Sequence, residues 1–284
     1  MNSDARSPVP PYATLLAMNN RDQAAGQLTR LAGIVHELRE RCPWDRQQTT
    51  QSLSKHLIEE AYETLDAIDH GSPEELADEL GDLIVQVMFH AVLGEEQKTF
   101  DLEAILTNAA DKLVRRHPHV YADVKADTAE QVVRNWEQLK RSERKSAGAK
   151  SALDGVGRAL PALLRAEKLG VRARGEGVDW GDIHAVIAKV REELVEVEQA
   201  LARQDSEAAA AELGDALLAL ANAPRFLHHS AEEVLRRACD KFVTRFTEVE
   251  QLASSRNLIL SELPPDQIDR LWNEAKAIIH DRNR

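Results

Sequence analysis

Glu59-Glu60-Ala61-Tyr62-Glu63, followed by Glu79-Leu80-Gly81-Asp82, returns later in the chain as Glu192-Glu193-Leu194-Val195-Glu196, followed by Glu212-Leu213-Gly214-Asp215. The step from Glu63 to Glu79 equals the step from Glu196 to Glu212, so one acidic constellation occurs twice. Carboxylates three or four residues apart share a face of a helix, and each copy therefore sets two acidic patches on two successive helices. A hairpin turning near Gly71 brings Glu60 level with Asp82 and Glu63 level with Glu79. In the second copy the same geometry turns near Gln204, just before Asp205-Ser206. Independent chemistry marks the first turn: Ser72 as N-cap, Pro73 at the first helical position and Glu75 three residues after the cap form a helix start.

Four carboxylates on one seam repel each other, and without a cation some of them stay protonated at neutral pH. Oxygen donors with no histidine or cysteine among them favour Mg²⁺, or Mn²⁺, over zinc. One acidic stripe alone reads most simply as a solvated helix face. Duplication at fixed spacing, on helices where an apolar seam is expected, turns the reading toward a metal site.

The chain has 284 residues, 43% apolar and 30% charged, the composition of a soluble globular protein long enough for two domains. Its formal charge of −12 argues against a nucleic-acid partner, which needs a basic face. No apolar stretch approaches the roughly 20 residues that span a bilayer, and the N-terminal stretch has no signal-peptide core, so no membrane partner is expected. Cys42 and Cys239, one in each half, argue against a disulfide framework and point to a cytoplasmic location.

Helical periodicity dominates from Gln23 onward. Leu28, Leu31, Ile34, Val35 and Leu38 form one apolar stripe, and Leu53, Leu57, Ala61, Leu65 and Ile68 another. The expectation is an all-α fold of two tandem helical units, each built on a carboxylate-bearing hairpin, with four-helix-bundle-like cores completed by pairing or by homodimerisation. Residues 1–21, with three prolines, read as a disordered lead-in, 22–145 as the N-terminal unit, the small-residue stretch 146–158 as a linker and 159–284 as the C-terminal unit. Further landmarks repeat in order. Asp111-Lys112 with Arg116 matches Asp240-Lys241 with Arg245, Trp136 with Lys140 matches Trp272 with Lys276, and Trp44-Asp45 precedes the first copy as Asp179-Trp180 precedes the second. Cations beside a carboxylate cluster suit a polyphosphate, and tryptophan faces suit a nucleobase.

Cys42-Pro43-Trp44-Asp45, Gln48-Thr49, the two acidic motifs and Arg115-Arg116-His117-Pro118-His119-Val120-Tyr121 together resemble the MazG nucleoside triphosphate pyrophosphohydrolases in their tandem bacterial form, over about residues 22–282. The acidic core alone is shared with all-α dUTPases and phosphoribosyl-ATP pyrophosphohydrolases. The resemblance implies Mg²⁺-dependent cleavage of nucleoside triphosphates between the α and β phosphates. It assigns Glu193, Glu196, Glu212 and Asp215 as metal ligands of the second unit, with Glu192 a further ligand or the group that orients water. Lys189, Lys241, Arg245 and Lys276 are assigned to phosphates and Trp272 to the nucleoside. In the first unit the matching ligands are Glu60, Glu63, Glu79 and Asp82, and the matching substrate contacts are Trp44, Lys112, Arg116, Trp136 and Lys140. The resemblance to tandem members implies that the C-terminal unit is the working site, and Lys189, whose counterpart is His56, supports it, although Pro224 is expected to kink or end the helix that carries Asp215. Other readings are a narrow dUTPase-like or modified-base pyrophosphatase and a nucleotide-binding interaction protein without turnover. A ferritin-like di-iron centre is disfavoured, since neither hairpin supplies a Glu-x-x-His pair.

Overall fold

The computed structural model describes residues 18–282, and among them every regular element is helical. The α-helices are α1 (Met18–Arg41), α2 (Thr50–His70), α3 (Pro73–Glu96), α4 (Leu102–Arg116), the single turn α5 (Pro118–Tyr121), α6 (Ala129–Ser146), α7 (Ala162–Gly175), α8 (Ile183–Ala202), α9 (Ser206–Leu220), α10 (Ala231–Ser255) and α11 (Pro265–Arg282). Short 3₁₀ turns lie at Asp45–Gln47, Pro224–Leu227 and Leu260–Glu262. Because α1 begins at Met18, residues 18–21 of the expected lead-in are helical, and residues 1–17 lie outside the described residues. None of the described helices is long and apolar enough to cross a membrane.

The chain divides into two compact units between Val132 and Val133, inside α6 and ahead of the small-residue stretch 146–158. In the first unit α2 and α3 form the acidic hairpin, and α1 packs across α3. Thr49 caps α2 by accepting from Ser52 N while Ser52 Oγ accepts from Thr49 N, and Ser72 and Glu75 close the same reciprocal box at the start of α3. Gly71 sits between them in extended backbone, where a Cβ would meet Ala67 O at 2.8 Å, so the close return of the chain excludes a side chain. Val35, Leu53, Met88, Phe89, Val92 and Leu93 form the core of this unit. Arg39 clamps the connection between α1 and α2: it donates to the carbonyl oxygens of Asp45 and Gln48 and forks onto Glu96.

In the second unit α8 and α9 form the matching hairpin, capped by Asp182 on Ala185 N and by Asp205 on Ala208 N. Its turn passes through Gln204 at φ 58°, a left-handed residue that ends α8. Helix α9 ends at Leu220, and Pro224 opens the 3₁₀ turn beyond it, so the helix that carries Asp215 is shorter than α3, as the proline predicts. Helices α10 and α11 form another hairpin, with Val249, Ala253, Leu271 and Ala275 buried between them, and α10 also packs on α7.

Candidate functional site

Each hairpin brings carboxylates from both of its helices together. In the first, ligand atoms of Glu60, Glu79 and Asp82 lie within 4.8 Å of one another; in the second, those of Glu193, Glu196 and Glu212 do. Glu63 and Asp215 stand outside these tight sets, yet their charges reach them. Partial burial, then the charges of Asp82, Glu63 and Glu79, hold the Glu60 carboxyl above its ordinary value. Partial burial, followed by Glu63, Asp82 and Asp78, does the same to Glu79. In the second copy burial and the charges of Glu196, Glu193 and Asp215 raise Glu212. Clustered carboxylates that suppress one another's ionisation are the arrangement that a hard divalent cation relieves, and oxygen donors at this spacing fit Mg²⁺.

The surroundings of the two clusters differ. Lys189 Nζ lies 2.8 Å from Glu192 Oε1 and 2.7 Å from Glu193 Oε1, and these two bonds push the lysine well above its usual range. Glu193 is 5% exposed, so a cation on the same helix face offsets the charge of its most buried carboxylate. His56, the counterpart of Lys189, instead places Nδ1 2.9 Å from Glu59 Oε2, and Trp44 meets the His56 ring edge-on at 6.0 Å.

Lys241 and Arg245 on α10, and Lys276 on α11, form no ion pair among the described residues; Lys241 and Lys276 are exposed and Arg245 is half-buried. Trp272 packs beside the α10–α11 core with its ring 5.3 Å from Phe242, which in turn stacks on Phe246. In the first unit Lys112 is exposed on α4 and Arg116 closes that helix. Trp136 and Lys140 lie on the part of α6 that belongs to the second unit, with Lys140 Nζ 3.7 Å above the Trp136 ring.

Three further residues beside the carboxylates carry no motif-level signal. Thr64 is buried between α2 and α3, and its hydroxyl donates to Glu60 O at 2.8 Å with Glu79 O at 3.4 Å, fastening the helices beside their carboxylates. Gln86 and His90 continue the Asp82 face one and two turns along α3, and Gln86 Oε1 and His90 Nε2 are buried without a hydrogen-bond partner among the described residues. An i, i+4 step from Asp82 predicts the shared face, but not that the face turns inward.

This is an all-α protein built on a duplicated acidic hairpin. It belongs to the MazG family: the model of the MazG nucleotide pyrophosphohydrolase domain matches residues 48–121 and 182–249, one segment around each hairpin. A nucleoside triphosphate pyrophosphohydrolase of Escherichia coli K12 is 40% identical over 88% of this chain and 97% of its own. A nucleoside triphosphate pyrophosphohydrolase/pyrophosphatase MazG of Thermotoga maritima is 38% identical over 87% and 94%. The uncharacterized protein YabN of Bacillus subtilis is 40% identical over 88% of this chain and 52% of its own length.

Proposed function

We propose that the chain is a hydrolase that splits nucleoside triphosphates of several bases between the α and β phosphates, releasing monophosphate and pyrophosphate, with Mg²⁺ or Mn²⁺ held by the acidic hairpins. The observation that carries this reading is the pair of carboxylate clusters, each drawn from two helices and each raising its own carboxyls. The family supports it, and so do the relatives, whose names specify nucleoside triphosphates rather than one base.

In the second unit Glu193, Glu196, Glu212 and Asp215 hold the metal, and in the first Glu60, Glu63, Glu79 and Asp82. When bound, the metal polarises the phosphate oxygens and lowers the charge that the attacking water meets. Glu192, whose carboxylate is pinned by Lys189, orients that water and accepts its proton as the anhydride bond breaks. Lys189, Lys241, Arg245 and Lys276 neutralise the leaving pyrophosphate, and Trp272 meets the nucleoside. Trp44, Lys112 and Arg116 are the corresponding contacts of the first unit, whereas Trp136 and Lys140, grouped with them on the sequence, belong to the second unit. The second unit is the working site, because it alone pairs its cluster with a lysine.

Homodimerisation completes the hairpins. Leu57, Tyr62, Leu65 and Ile68 on α2, and Leu201, Leu213 and Leu217 on α8 and α9, are exposed, and a second copy would cover them. Two free cysteines and no membrane-crossing helix among the described residues support action in a reducing cytoplasm as keeper of the nucleotide pool.

The test is product analysis with ATP, GTP, dATP, dCTP, dTTP and dUTP, in Mg²⁺ or in EDTA, resolving pyrophosphate from phosphate. Metal-dependent monophosphate and pyrophosphate from several bases is the expected result. Diphosphate and phosphate, or no turnover, overturns the proposal.

A further inference from the structure

Within the second unit, α6, α7 and the Gly155–Gly157 stretch enclose an open-mouthed cavity of about 560 Å³. Six of its lining side chains are lysine or arginine and three are glutamate, in a chain whose net charge is −12. All three glutamates are already engaged. Glu137 pairs with Arg174 at 3.4 Å, Glu176 with Arg141, and Glu167 accepts from Ser230 Oγ at 2.9 Å and from Ala231 N at 3.0 Å. Arg134, Arg144, Lys168 and Arg172 are left with no ion pair among the described residues. Arg172 gives one hydrogen bond, from Nη1 to Ala152 O at 3.2 Å. Burial, and after it the neighbouring Arg144 charge, hold its guanidinium below the ordinary value. Like charges gathered in a partly enclosed space without counterions favour an incoming anion, and planar guanidinium forks match phosphate oxygens two at a time.

We propose that this cavity binds a compact phosphate anion, gripped by Arg144 and Arg172 with Lys168 adding positive charge. The anion is either free pyrophosphate or the phosphate tail of a nucleotide. None of the lining residues belongs to the Glu193, Glu196 and Glu212 cluster, so binding here needs no divalent ion. Trp136 and Lys140 share the wall, but the grip rests on the arginines. The bond from Arg172 to Ala152 also couples the anion to the small-residue stretch 146–158, which lends the cavity Gly155, Val156 and Gly157.

Calorimetric titration of pyrophosphate and, separately, of ADP into the full chain in EDTA tests the site without hydrolysis. Binding is expected, weakening as NaCl rises and falling by about tenfold or more in Arg144→Gln and in Arg172→Gln, with Arg30→Gln, on an exposed face of α1 in the first unit, unchanged. Arg172→Gln also removes the bond to Ala152, so Arg144→Gln, which leaves it in place, carries the test. Tighter binding of ADP assigns the anion to a nucleotide; tighter binding of pyrophosphate assigns it to the free ion. Absence of binding for both probes, or wild-type affinity in Arg144→Gln, overturns the proposal.

Discussion

Where the first hairpin carries Thr64, buried and bonded to the carbonyl oxygens of both helices, the second carries Val197 at the matching position, 8% exposed in an apolar cluster with Ala200 and Ala209. Where the first continues past Asp82 with Gln86 and His90, the second continues past Asp215 with Ala219 and Ala223. The first cluster stands beside a histidine bonded to Glu59, and the second beside a lysine bonded to Glu192 and Glu193. Identical carboxylate spacing therefore coexists with opposite choices of neighbour. The first copy spends polar groups on joining its helices, whereas the second joins them with hydrocarbon and keeps its cation for the carboxylates. The acidic motif specifies where ligands stand; the residues between the motif positions specify what charge those ligands feel.

The largest expected effect separates the two copies by chemistry. Glu212→Ala is expected to lower the rate of pyrophosphate release by on the order of 100-fold or more, the scale for losing a metal-holding group, and Glu79→Ala to lower it by no more than about twofold. Equal losses in steady-state assays of the two variants would break the asymmetry. Next comes stability at the end of α9. Asn222 is 1% exposed with its Oδ1 against Gly170, where a Cβ would stand 1.7 Å from that oxygen. The matching residue of the first copy is Phe89, in the core. Gly170→Ala is expected to cost about 1 to 3 kcal/mol of overpacking, read by urea denaturation. Gly214→Ala, whose Cβ would meet nothing within 4 Å, should cost nothing or gain up to about 1 kcal/mol.

Lys189→Ala is expected to reduce kcat/KM by about tenfold, while His56→Ala leaves it unchanged; a matching loss in both would show that the lysine confers no advantage on the second copy. The smallest effect is a difference in pH slope. Glu60, Glu79 and Glu212 have folded values raised above the unfolded carboxylate value, so the stability they contribute is present below the unfolded value and lost as pH rises through the folded one. In EDTA the melting temperature should therefore gain from acidification toward pH 5. Glu79→Gln should flatten that slope more than Glu212→Gln, since two carboxyls are raised in the first cluster. Thermal scans between pH 5 and 7 decide it.

Most of the fold was legible in the sequence because its signals are local. The Ser72, Pro73 and Glu75 helix start, the turns at Gly71 and Gln204, and the stop imposed by Pro224 each act through their immediate neighbours. The register that sets Glu60 beside Asp82 and Glu196 beside Glu212 was legible for the same reason, since a short turn leaves antiparallel helices one register, whereas Glu63 and Asp215, read as level with Glu79 and Glu193, stand outside the tight sets. What lay beyond the sequence is long-range. Arg39 meeting Glu96, Arg141 meeting Glu176 and Arg174 meeting Glu137 join helices whose amphipathic period gives each a face but not a partner. For that reason nothing in the run from Ala129 to Ser146 announced that most of α6 is counted with the second unit, or that a cationic cavity opens beside it.

Under the homodimer proposed above, the leucines that α2, α8 and α9 turn outward would give stability a concentration term. If a second copy supplies their cover, every halving of protein lowers the fraction that is covered, and dilution does to this chain what heating does to a monomer. A melting temperature then describes a solution of stated strength rather than a molecule.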